Sequence, residues 1–116
     1  MNTLDYLSLF AALSFIYFGI SCLLSPFMKN EFIRYGLAKH RRIVGILQFI
    51  GGISLLIGVF YSTMLALAAS TGLALIMILG YGVRIKIRDP FLASFPALFY
   101  AAFNSYLAYR WLTLIL

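Results

Sequence analysis

Four apolar runs, separated by short polar segments, account for the whole chain. The longest, Ile43 to Val83, is 41 residues without an Asp, Glu, Lys, Arg or His, and Arg42 and Arg84 bracket it. A helix rises about 1.5 Å per residue, so one continuous helix here would measure roughly 60 Å. The hydrocarbon core of a bilayer is only about 30 Å thick. The run therefore predicts two membrane crossings with a reversal near its middle. Phe60-Tyr61-Ser62-Thr63 supplies the reversal, with amphipathic aromatics suited to headgroup depth followed by two small hydroxyl residues.

The remaining runs flank this hairpin. Leu4 to Leu24 is broken only by Asp5, which suits a first helical turn because a negative charge there meets the positive end of the helix dipole. It lacks a basic leader and a small-x-small cleavage site, so a retained span is expected rather than a signal peptide. Ser25-Pro26 ends it. From Phe27 to Leu37, Met28, Phe32 and Tyr35 recur at helical spacing while Lys29, Asn30 and Arg34 point elsewhere, and Gly36 is placed to close the helix. The pattern predicts a short amphipathic helix lying in the interface, its aromatics among headgroups. The last span starts at Asp89-Pro90, read as N-cap and first helical residue, or at Ser94 before Pro96. The fold expected is all-α, a single membrane domain over residues 1–116: a four-helix transmembrane bundle with spans near 4–24, 43–60, 63–83 and 91–110.

Composition agrees with this pattern. The chain is 64% hydrophobic and 10% charged, with a mean hydropathy of +1.01, against roughly 25% charge in a soluble domain. Its net charge of +6 comes from nine basic residues lying between the apolar runs, which favours a membrane-orientation signal over nucleic-acid binding. Lys29, Arg34, Lys39, Arg41 and Arg42 precede the second span, Arg84, Lys86 and Arg88 follow the third, and Arg110 stands alone near the end. Eight against one places both basic connections in the cytoplasm and both termini outside, in the plasma or inner membrane. Lys39, Arg41, Arg42, Arg84, Lys86 and Arg88 are expected at the membrane surface, in contact with anionic lipid.

Small and polar residues mark the inward faces. Gly45, Gln48 and Gly52 share one face of the second span with Gly51 beside them, and Gly72 lies in the third; such residues let helix backbones approach closely in lipid. Gln48 is the one strongly polar side chain in the hairpin and should face the bundle, either bonded to a neighbouring helix or contacting a buried ligand. Asn104 is its counterpart in the last span, on a face with Pro96 and Tyr100. Ser14, Tyr17 and Ser21 form a weakly polar stripe in the first. Gln48, Asn104, Tyr17, Tyr100 and Ser14 are thus the candidates for ligand or helix contact. Tyr106, Tyr109, Arg110 and Trp111 read as an interfacial anchor.

Little other chemistry is available. The single Cys22 and single His40 exclude an internal disulfide, a thiolate zinc site and a multi-histidine metal or haem site. The acids Asp5, Glu31 and Asp89 sit at helix ends, so no proton relay crosses the membrane, and no catalytic residue or metal site is expected.

The order of features resembles the DoxX-like family of small four-span membrane proteins. The resemblance rests on Phe32-Ile33-Arg34-Tyr35-Gly36-Leu37, on the run from Arg42 through Gln48 to Gly51-Gly52, and on Arg88-Asp89-Pro90. Many relatives carry Glu where this chain has Gln48. The resemblance implies a quinone as a possible cofactor and a link to quinone-dependent oxidoreduction or to membrane-protein assembly. The reading that follows is a non-catalytic bundle binding a lipid, a quinone-like molecule, another membrane protein or a second copy of itself; the alternatives are a subunit of a quinone-linked oxidoreductase and an assembly factor.

Overall fold

The computed structural model describes residues 3–116, and the side chains of all of these except residues 38 and 93. Five α-helices and no strand occur among them: α1 (Thr3–Leu24), α2 (Pro26–Arg34), α3 (Arg41–Tyr61), α4 (Thr63–Lys86) and α5 (Phe91–Ile115), with a short 3-10 turn at Ala38–His40. The helices α1, α3 and α4 are long and apolar enough to cross a membrane, and only 28–33% of each apolar window is buried within the protein. Faces so apolar and so uncovered require lipid as their solvent. The helix α5 matches them in length, with 25 residues.

The four long helices stand antiparallel in a ring, α1 on α3, α3 on α4, α4 on α5, with α5 closing back onto α1. Glycines set the first of these approaches. A Cβ on Gly52 would lie 2.8 Å from the Ala12 carbonyl oxygen and 2.9 Å from the Ile16 amide nitrogen, and one on Gly19 would lie 2.6 Å from the Phe49 amide nitrogen. Here α1 and α3 touch backbone to backbone, the packing that lipid favours.

The predicted reversal is a single extended residue, Ser62, at φ −156° and ψ 114°, which ends α3 and caps α4 by accepting a hydrogen bond from the Leu65 amide at 3.2 Å. Beside it Gly58 meets the Ala66 backbone, with only 2.5 Å available to a Cβ. Moving away from this turn, Gly51 packs under the Leu73 side chain, while a Cβ added at Gly72 or Gly80 would meet no atom of another element within 4 Å. The helices α3 and α4 therefore part toward their basic ends. Gly72, expected as a packing contact, faces an opening instead.

The α1–α5 side is held apart by large rings. Tyr100 packs edge-on against Phe15, Phe18 and Phe99 with centroids 5.1–5.4 Å apart. Trp111, expected at the interface, is buried and donates from Nε1 to Ser8 Oγ at 3.0 Å. The indole finds its partner across the bundle, so the ring is a core residue; Tyr106 and Tyr109 remain exposed, as an anchor requires.

Of the two left-handed turns, one is as expected and the other is not. Gly36, at φ 77°, closes α2 as predicted, with Gly36 N donating to Ile33 O at 3.0 Å and Leu37 N to Phe32 O at 2.9 Å. The helix α4 ends in the same way, but with Arg88 in the left-handed conformation, at φ 61°. That turn moves Asp89 away from the N-cap of α5, which Pro90 occupies without a side-chain bond. Ser94 begins no helix; it lies buried within α5.

Gly52→Leu is expected to force α1 and α3 apart, costing about 1–3 kcal/mol or more by overpacking. Gly72→Ala should be neutral or stabilising by up to about 1 kcal/mol, since it adds helix propensity in open space. Thermal unfolding of both variants in detergent checks this, and equal losses would contradict the geometry described.

Candidate functional site

The divergence of α3 and α4 leaves a cavity of about 480 Å³ in the basic half of the bundle, lined by all five helices. Its walls are mainly apolar, with Phe18 and Cys22 from α1, Met77 and Val83 from α4, and Ala97 from α5. Tyr100 forms the inner end and is fixed by donating its hydroxyl proton to Ser14 Oγ at 3.1 Å. Beyond it the other half of the bundle is solid, filled by Phe15, Leu55, Leu73, Leu107 and Asn104, all essentially inaccessible.

Gln48 projects into the cavity. It is 7% exposed, and its amide makes no hydrogen bond among the described residues. No hydrogen bond joins it to a neighbouring helix among the described residues, and its amide faces the cavity rather than being sealed in protein: the sealed side-chain atoms without a partner are the Tyr35 hydroxyl and Asn104 Oδ1. The two amides expected to face a common interior are separated. Asn104 lies in the solid half, donating from Nδ2 to the Tyr100 carbonyl at 2.9 Å, and its buried Oδ1 has no partner. Tyr17 is 67% exposed and points out of the bundle against Phe18, so only Ser14 and Ser21 of the predicted stripe turn inward.

The cavity is covered by α2. Met28, Phe32 and Tyr35 form one face of that segment, as their spacing predicts, but the face turns onto the cavity rather than among headgroups, with Phe32 buried. The amphipathic pattern was legible; what it covers was not, because a hollow in the bundle has no local signature. A charged network holds this cover down. The Arg34 guanidinium bonds the carboxylates of Glu31 and Asp89, with a second contact to Asp89 at 3.2 Å, and Arg84 reaches Asp89 at 3.3 Å. The Arg34 and Arg84 guanidiniums lie 5.3 and 5.2 Å from the centre of the Tyr35 ring. Two cations and two anions meet here, so the network is formally neutral. It ties α2, the end of α4 and the α4–α5 turn together.

Hydrogen bonding to Arg34 holds the Asp89 and Glu31 carboxyls below the ordinary carboxylate range, against an opposing effect of desolvation. Burial, with Glu31 beside it, pushes the Tyr35 phenol up to about 12, so it stays neutral at physiological pH. Arg84 is therefore not the freely solvated surface cation that its position in a basic cluster suggests. Arg41 is not one either: its Nη1 donates to the last carbonyls of α1, those of Cys22 and Leu23, both at 2.9 Å. Lys39, Arg42, Lys86 and Arg88 are exposed.

The sequence profile of the DoxX-like family matches residues 6–104, which include every residue of the cavity and its cover. The chain belongs to the DoxX-like family. It is a membrane protein of that family, and the family resemblance in its motifs falls on the pieces that build this site, α2 and the opening of α3. No curated protein and no solved structure matches the chain significantly.

Because the carboxyl pKa values are lowered in the fold, the network contributes fully above the unfolded values near pH 4 and is lost as pH falls through the folded ones. Spin labels at Asn30 and Leu92 should give one narrow distance from pH 8 to about pH 5, broadening only below about pH 4. Asp89→Asn should broaden it already at pH 7. A narrow distance in that variant would show that α2 is held by other contacts.

Proposed function

We propose that this protein is a four-span binding protein of the plasma or inner membrane, with α5 as its fourth span, that holds a neutral amphiphile in the cavity beneath α2. The ligand is a lipid or quinone-like molecule whose head carries a carbonyl or hydroxyl group. The observation that carries this reading is the unpartnered Gln48 amide inside a mainly apolar cavity of about 480 Å³, a combination that matches ligand sites with few, well-placed polar groups. Charge supports a neutral head. Arg84, the guanidinium that lines the cavity, is already paired with Asp89, so a phosphate bound to it would have to displace a carboxylate.

A quinone-like head fits these residues. Gln48 would donate to a ring carbonyl, while Phe18 and Tyr100 offer aromatic surfaces beside it. Such a molecule supplies reversible electron carriage when bound; the residues of this chain bind it, orient it and exclude water from its ring. The distribution of basic residues supports an orientation with α2 and the α4–α5 turn on the cytoplasmic side, which puts the cavity in the cytoplasmic half of the membrane.

Gln48→Leu separates the two roles of this residue. It removes one ligand hydrogen bond, worth about 1 kcal/mol and so about a fivefold loss of ligand retained after gentle extraction, read by mass spectrometry. The ligand-free variant should be as stable as the wild type or more so, because an unpaired buried amide is gone. Unchanged retention of small molecules in Gln48→Leu would overturn the proposal.

A further inference from the structure

A second hollow adjoins the cavity on the outside of the bundle. Leu47, half exposed, and Ile76 line it and also line a second cleft of about 290 Å³ on the outer face between α3 and α4. The second cleft runs along α4 from Leu65 to Ile76, about 16 Å at about 1.5 Å per residue. Its floor is built from small residues, including Gly51, Ser54, Ala68 and Gly72. Gly72 leaves open space where a side chain would stand.

Resting on the reading of the cavity as a site for a neutral head, we propose that this outer cleft holds the single hydrocarbon tail of the same ligand, which enters sideways from the membrane between α3 and α4. Adjacency is the first argument, since only the Leu47 and Ile76 side chains stand between the two spaces, and a molecule with its head at Gln48 meets the outer cleft where those side chains turn aside. Gln48 is more than nine-tenths buried and has no partner among the described residues, so the inner end is built for a polar head. The outer end is different in kind. A mostly apolar crevice facing lipid gains nothing from the hydrophobic effect, and what fills it is chosen by dispersion contact and shape. A narrow floor of glycine and alanine suits one flexible chain lying along the helices. Gly72 is then the residue that determines how far the tail can run.

A photolabelling experiment in lipid nanodiscs tests this. The probe is a benzoquinone carrying one saturated tail of about ten carbons with a diazirine at its end, and the competitor is the same compound without the diazirine. Labelling is expected on the segments 47–54 and 65–76, reduced at least fivefold by excess competitor and at least fivefold in Gly72→Phe. Gln48→Leu should lower the same labelling. Gly72→Ala, which only adds a methyl group in open space, should fold and label like the wild type, showing that the loss in Gly72→Phe comes from blocking the cleft. Competed labelling on α1 or α5 overturns the tail path while leaving the head site standing, as does undiminished labelling in Gly72→Phe. Labelling of the cleft that resists competition shows ordinary bilayer lipid there and overturns the path as well. If no labelling anywhere is competed, the head site has failed and the tail path falls with it.

Discussion

Backbone contact between α1 and α3 determines the dimensions of everything else in this protein. Lipid tails are as apolar as leucine side chains, so helices in a bilayer are held together by close packing and hydrogen bonds rather than by expulsion of water. Gly19 and Gly52 let the α1 and α3 backbones touch, with no room for a Cβ at either position. Gly58 does the same for α3 and α4, but only beside the Ser62 turn. The opposite wall, between α1 and α5, is spaced by Phe15, Phe18, Phe99 and Tyr100. Helices pinned close on one side and at one end, and propped apart by aromatic rings on the other, cannot stay parallel in contact along their full length. They open at the free end, and the cavity is the space so left.

An opening of that kind at a membrane surface would fill with water or headgroups unless something closed it. Here α2 closes it, and the manner of closure matters. An apolar cover alone would lie as comfortably in the interface as over the bundle. The difference is made by Arg34, Arg84, Glu31 and Asp89, whose charges cancel around the Tyr35 ring. Exposed ion pairs contribute little individually. Networked across three segments, with the Asp89 side chain 6% exposed, they fix position more than they add stability. The left-handed turn at Arg88 is the local strain that delivers Asp89 to both guanidiniums.

Elements set by local pattern were readable in the sequence, and contacts set by distant partners were not. Three of the spans, the Ser62 reversal, the Gly36 closure of α2 and the inward glycine face of α3 each follow from periodicity, bilayer thickness or backbone conformation. The inward direction of Gln48 follows from the cost of an amide in lipid. Trp111 was misplaced because an indole near a chain of aromatics suits either an interface or a core, and only Ser8, about a hundred residues away in sequence, decides between them. Asp89 makes a plausible N-cap on its own; its partners lie on α2 and α4. Gln48 and Asn104 were grouped by chemistry, yet Tyr100 stands between the solid and hollow halves, and the two amides fall on opposite sides of it.

That separation gives the two amides different meanings. Asn104 keeps one hydrogen bond to its own helix, at Tyr100, and sits where no space remains for a second molecule. Gln48 keeps none, and sits where there is space. In a medium that cannot hydrate it, an amide with no hydrogen bond at all carries a cost that a bonding partner would offset. Replacing Gln48 by Leu would remove that cost at no loss of packing volume, which is what makes the position informative for the proposed binding role. A glutamine at this depth both donates and accepts and does not titrate, whereas an ionised carboxylate here would need a cation of its own.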